Sequence, residues 1–214
     1  LIAVALFAGL SYTVTNSMKG GGKSIEGDKH KLAALHIINM ANDAEKGVNR
    51  LVMVNDCQAT QIDFSPASSG ANGNAPADYS CHLFDPRGGQ ITYSIVPAKY
   101  TTETTDRGWG VFSGYAYSGV GSTCSNTSCN ELVYYLRDLT KDVCLAINNA
   151  LSVTNPSGDA PVVGDMSAGS ISNNGHNGVI STAQLVGKTS ACVKEAGGCG
   201  SGTCYAYYHV LYAR

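Results

Sequence analysis

Charge is scarce in this chain. Charged residues make up 14% of its 214 residues, against about 25% in ordinary soluble domains. Formal net charge is −2, so no strong positive field exists to gather nucleic acid, and none is predicted as a partner. No cysteine occurs before Cys57. The first fourteen residues, LIAVALFAGLSYTV, contain no charged side chain. They are too short for a membrane span, which needs about 20 apolar residues. A cationic start and a small-residue cleavage site, the marks of a secretory signal, are also missing. The run is nevertheless too greasy to stay in water alone, so it is expected to bury itself against copies of itself or to continue a longer apolar segment.

Several familiar chemical signatures are absent as well. Gly20-Gly21-Gly22-Lys23-Ser24 lacks the first glycine of a phosphate loop, because position 17 is Ser17. Ser167, in Gly164-Asp165-Met166-Ser167-Ala168-Gly169, lacks the nucleophile-elbow glycine, because position 165 is Asp165. His176 is its only nearby histidine, in a stretch rich in Asn and Gly. A secreted hydrolase is therefore the weakest reading, and no residue is expected to be catalytic. The histidines His30, His36, His82, His176 and His209 show no metal-binding spacing. Asn155, Asp159 and Asp165 supply oxygens that suit calcium, but without the spacing of a calcium loop. No cofactor is expected.

What is abundant is cysteine, glycine and small polar residues. Cys57, Cys81, Cys124, Cys129, Cys144, Cys192, Cys199 and Cys204 form an even set, which fits an oxidising compartment. A four-thiolate zinc site from Cys124–Cys129 and Cys199–Cys204 is the rival reading, but each pair can close on itself. Short loops close at least entropic cost. Of the 105 pairings that eight cysteines allow, which sequence alone does not fix, the expected bridges are the short loops Cys124–Cys129 and Cys199–Cys204, with Cys57–Cys81 across the first loop and Cys144–Cys192 tying helix to tail. Asn126-Thr127-Ser128 is a sequon, which makes Asn126 a candidate glycosylation site.

Along the chain, Gly20, Gly21 and Gly22 each weaken a helix by about 1 kcal/mol relative to Ala, so a helix joint is expected there. Helical periodicity resumes over 27–55 through Leu32, Leu35, Ile38, Ala41, Ala44, Val48, Leu51, Val52 and Val54. Residues 56–80 are turn-rich. Residues 79–96 read as a β-hairpin around Asp85-Pro86-Arg87-Gly88-Gly89. Strand-like aromatics follow over 107–120. A second helix is expected over 131–151, capped by Asn130 and open to interruption at Asp138-Leu139-Thr140. Residues 152–190 read as loop, and 204–214 as a final strand.

An apolar N-terminal helix, an amphipathic continuation, a loop, a hairpin and a cysteine-rich C-terminal region, in that order, resemble type IV pilins and pseudopilins of gram-negative bacteria. LIAVALFAGL is similar to the back half of the pilin apolar segment, and CHLFDPRGGQITY, DLTKDVCLAINNAL and YYHVLYAR strengthen the likeness. The family's assembly glutamate is not matched at Ala5, so either the mature start lies upstream of Leu1 or this branch assembles without that pair. The resemblance implies an α+β fold, with a long N-terminal helix packed on an antiparallel sheet of about four to six strands and a second helix in the head. Residues 1–27 would form the assembly helix and glycine joint. Residues 28–214 would form the head, with helix 28–55 and a sheet with loops over 56–214. It further implies an extracellular filament for adhesion, motility or secretion, built at the inner membrane by pilus assembly machinery. Leu1, Ile2, Val4, Leu6, Phe7, Leu10 and Val14 would then carry self-assembly into a helical homopolymer. A minor or tip pilin, or a cysteine-rich secreted adhesin acting as a binding module, is the alternative.

Overall fold

The computed structural model describes residues 2–65, 72–102, 110–112, 115–121, 131–164, 166, 178–199 and 202–213. Helix α1 spans Ile2–Met53. At a rise of about 1.5 Å per residue it is about 78 Å long. It runs unbroken through Gly20, Gly21 and Gly22, so the expected joint is not seen in the single subunit. Opening the helix there would strand about four N–H and four C=O groups at the two new ends and would require a second costly nucleation. Three glycines, at about 1 kcal/mol each, do not outweigh that. The helix consequently passes the 27/28 boundary without interruption.

The second half of α1 is the spine of the head. Ala34, Ile37, Ala41, Ala44, Val48 and Leu51 are all fully buried and recur at three- and four-residue steps. Five of the periodic positions expected to face the core behave differently, Ile38 being half-buried like Val52. Leu32, Leu35 and Val54 are exposed and Val52 is only half-buried. The alanines allow close approach, and Gly47 is closer still: a Cβ there would lie 2.5 Å from Leu83 Cδ1 and 2.6 Å from Ile91 Cγ1. Exposed ion pairs Lys29–Glu26 and Lys46–Asp43 lie along the same helix, where such contacts contribute only about 0.2–0.5 kcal/mol.

Strands β1 (Gly110–Phe112), β2 (Tyr115–Tyr117), β3 (Leu132–Leu136), β4 (Val162–Val163), β5 (Gly178–Ile180), β6 (Ser190–Cys199) and β7 (Gly202–Tyr212) form two sheets. The larger has the order β1-β3-β7-β6-β4, and β2 pairs with β5. The large sheet is antiparallel except where β4 runs parallel to β6, and β2 and β5 are also parallel. The fold is therefore α+β with mixed sheets, a correction to the wholly antiparallel expectation. α1 and helix α2 (Lys141–Ala150) cover one face of the sheet, over Tyr134, Leu136, Cys192, Tyr207 and Leu211. Tyr115, Tyr117, Met166, Ile180 and Leu185 cover the other, over Val133, Tyr135, Val193 and Tyr208.

The expected helix over 131–151 divides in two. Leu132–Leu136 is β3, with all five residues buried. A strand covered on both faces reads as a continuous apolar run, which periodicity cannot tell from helix. Asp138, at φ 59°, turns the chain. Thr140 then holds the N-cap backbone conformation and α2 begins. Residues 79–96 are not a hairpin of two strands either. The described chain there is a knob of turns, with a Gly89 amide to His82 carbonyl bond (2.9 Å) and an Ile91 amide to Leu83 carbonyl bond (3.2 Å). Docking on the end of α1 replaces a ladder: Asn55 donates to the carbonyls of Ser80 (2.6 Å) and Arg87 (3.2 Å). The final strand is present as β7, between β6 and β3.

Disulfides Cys57–Cys81 and Cys144–Cys192 are formed, as expected. Cys124, Cys129, Asn126 and Asn130 lie outside the described residues, as does the side chain of Cys199, so the other two bridges do too.

Candidate functional site

α1 leaves the head at Ala33. From Ile25 to Leu32 no residue is buried, and Ile25 (57%), Leu32 (66%) and Leu35 (50%) present large apolar side chains to solvent. Ile2, Val4, Leu6, Phe7, Leu10 and Val14 lie on the first turns of the same helix, while Leu1 lies outside the described residues. A groove of about 500 Å³ runs between α1 and α2 where the helix departs, with Gly27, Leu35, Leu145 and Ala146 among its walls. Among the described residues no helix is long and apolar enough to cross a membrane.

Polar clusters fasten the head at several points among the described residues, the buried Glu195 carboxylate with Tyr135 and Arg137 among them. The first crosses from α1 to the sheet. Glu45 Oε2 lies 2.7 Å from His209 Nε2, the other His209 nitrogen is 3.4 Å from the Tyr207 hydroxyl, and that hydroxyl is 2.8 Å from Ser190 Oγ. His209, Tyr207 and Ser190 are buried, whereas the Glu45 side chain is 42% exposed. Burial pushes the Tyr207 hydroxyl well above the usual phenol range, so it stays protonated and acts as a hydrogen-bonding bridge. Sequence reading missed this row, because Glu45 and His209 are 164 positions apart. The only local signal is a histidine inside the aromatic run YYHVLY.

The second cluster is at Asp159. Lys194 Nζ sits 2.9 Å from one carboxylate oxygen, and the Tyr205 hydroxyl donates to the other at 2.9 Å. The Lys141 ammonium is 3.6 Å away. The Lys194 hydrogen bond, with help from Tyr205 and the Ala160 amide, holds the carboxyl down at about 2. Burial and the Asp159 carboxylate in turn push the Tyr205 hydroxyl up to about 12. Two ammonium groups on this carboxylate make Asp159 an anchor between its loop and strands β6 and β7. Asp165, the other calcium candidate, lies outside the described residues, together with Ser167 and His176. No group of three or more potential ligands converges among the described residues.

The third joins α2 to β6. Asn148, fully buried, donates to the Cys192 carbonyl and accepts from the Cys192 amide, each at 2.8 Å. It lies one turn from the buried Cys144–Cys192 bridge, so covalent and hydrogen-bonded ties act on the same pair of elements.

The knob carries a separate pocket of about 380 Å³. Arg87 donates from Nε to Asp85 Oδ1 (2.8 Å) and from a terminal nitrogen to Oδ2 (3.0 Å). Its guanidinium also lies 4.3 Å from the centre of the Tyr79 ring. These Arg87 hydrogen bonds hold the Asp85 carboxyl at about 2. His82 backs onto the buried carboxylate of Asp63 at 3.6 Å.

Comparison with protein-family models, with curated proteins and with solved structures returns no match.

Proposed function

We propose that this chain is the structural subunit of an extracellular filament of the type IV pilus kind, with no enzymatic role. The observation that carries this reading is the division of labour along one helix. One face of Ala33 to Leu51 belongs to the core of the head, and Ile25 to Leu32 contribute nothing to it. A charge-free apolar run then occupies the first turns of that helix. Apolar surface is driven from water at about 25 cal/mol per Å², so a helix that projects from its own head gains by packing against copies. Contacts of that kind which do not close on themselves generate an open fibre. The firm attachment of α1 through Glu45–His209 and the alanine stripe supports the same reading, because load applied to the helix must pass into the head. Assembly would start at the inner membrane, with pilus machinery handing on each subunit, and adhesion, motility or secretion would follow from the fibre.

The test is to express the full chain beside a form lacking residues 1–27 and to image sheared surface material by electron microscopy with peptide mapping. The full chain is expected in fibres. The shortened form is expected as a soluble monomer by light scattering, with head circular dichroism retained. Fibres of normal appearance from the shortened form would overturn the assembly role of the apolar run.

A further inference from the structure

The pocket on the knob is built differently from the rest of the surface. Its apolar walls come from Tyr79, Phe84 and Pro86, and its polar edge from His82, Asp85 and Arg87. Asp85 and Arg87 lie in a forked pair. A guanidinium has five N–H donors and a carboxylate about four acceptor sites, so a pair joined by two bonds keeps both donors and acceptors for a third party. The Arg87 side chain is 60% exposed and that of Asp85 is 21% exposed, which leaves this edge open to solvent. The two charges cancel, and Asp63 stands behind His82. Arg87 also lies within electrostatic reach of the Asp78 carboxylate, so an anion finds no unmatched cation here. A ligand with adjacent neutral hydroxyls and an apolar C–H face finds both of its requirements met.

The pocket is also stiff before anything binds. The Asp85 carboxylate accepts the Arg87 amide at 2.8 Å, closing the turn from within. A Cβ on Gly88 would collide with the His82 carbonyl, and one on Gly89 would lie 2.5 Å from the Leu83 carbonyl oxygen, so the glycines let two backbone segments touch. Cys57–Cys81 and the two Asn55 hydrogen bonds then tie the knob to the end of α1. Preorganisation of this kind lowers the ordering cost of binding.

We infer that the Tyr79–Phe84–Asp85–Arg87 pocket is a binding site for a neutral saccharide, with the Asp85–Arg87 pair taking adjacent hydroxyls and the Phe84 and Pro86 walls taking the C–H face of the ring. The site is at the opposite end of α1 from the apolar run, so it does not depend on assembly and stands or falls separately from the filament reading. Saturation-transfer NMR on the full chain in detergent, with glucose, galactose, mannose and N-acetylglucosamine as probes and sialic acid as the anionic control, tests it. At least one neutral sugar should receive saturation, and sialic acid should not exceed it. Asp85→Asn keeps a side-chain acceptor for the turn but removes the charge, and Phe84→Leu keeps apolar volume but removes the ring. Each should weaken binding by about tenfold, with the thermal unfolding of the native chain. Absence of transfer to every neutral sugar would overturn the proposal. So would preference for sialic acid, or native affinity in both variants.

Discussion

Asp159 shows how one residue converts local charge into pH dependence. Its carboxyl is held at about 2, below the ordinary 3.8, chiefly by Lys194. The unfolded chain takes up this proton near its ordinary value, while the folded chain does so only near 2. The contribution is therefore complete above about pH 4 and fades as pH falls towards 2. Asp159→Asn should cost about 1 kcal/mol at neutral pH, the modest figure suiting a partly exposed group. The variant should show a flatter loss of stability between pH 4 and 2 in urea titrations, and a native-like slope there would refute the assignment. The same residue illustrates what a sequence hides. An aspartate in a polar loop suits calcium as well as lysine, and only the fold brings Lys194 and Tyr205 to it from β6 and β7.

At the scale of elements, Gly20, Gly21 and Gly22 are the weakest turn of α1. The helix survives them through cooperativity, so their effect belongs in local opening rather than in the ground-state fold. Replacing all three by Ala should stabilise that turn by about 1 kcal/mol per position. Hydrogen exchange of amides 20–24 should slow accordingly, and unchanged exchange would mean that the stretch is held by something other than its own propensity. Within a filament, this turn is where α1 would open first under load. The Ala variant should give stiffer fibres in force–extension measurements, and unchanged stretching would remove that role. β3 teaches the complementary lesson. Val133, Tyr134 and Tyr135 carry the β-branched and aromatic signature of a strand, yet their run merges with the stripe of α2 in a one-dimensional reading.

For the whole molecule, the two bridges among the described residues link pieces that are distant in sequence. Cys57–Cys81 spans a separation of 24 and Cys144–Cys192 one of 48. Closing longer loops removes more freedom from the unfolded chain, and each bridge contributes about 2–4 kcal/mol. Replacing Cys144 and Cys192 together by Ala should lower stability within that range and by more than the corresponding change at Cys57 and Cys81. Denaturant midpoints of the two double variants compare them directly, and the reverse order would show that native-state packing outweighs loop length. Both bridges join separate parts of the head, so mild reduction should loosen the knob and α2 while leaving the far end of α1 helical.

Some of this architecture was legible before any coordinates. The long N-terminal helix and the aromatic final strand follow from period and composition, because these depend on neighbours in the chain, whereas Cys57–Cys81 and Cys144–Cys192 were expected pairings among the many that eight cysteines allow. The tertiary structure alone decided the rest. Whether Leu35 or Ile37 faces the core depends on which side of α1 meets the sheet. β3 is a strand because both of its faces are covered. β4 runs parallel to β6 because of the path between them. Glu45 meets His209, and Asp85 and Arg87 open onto Phe84, because packing brings together groups whose separation in sequence carries no information about their distance in space.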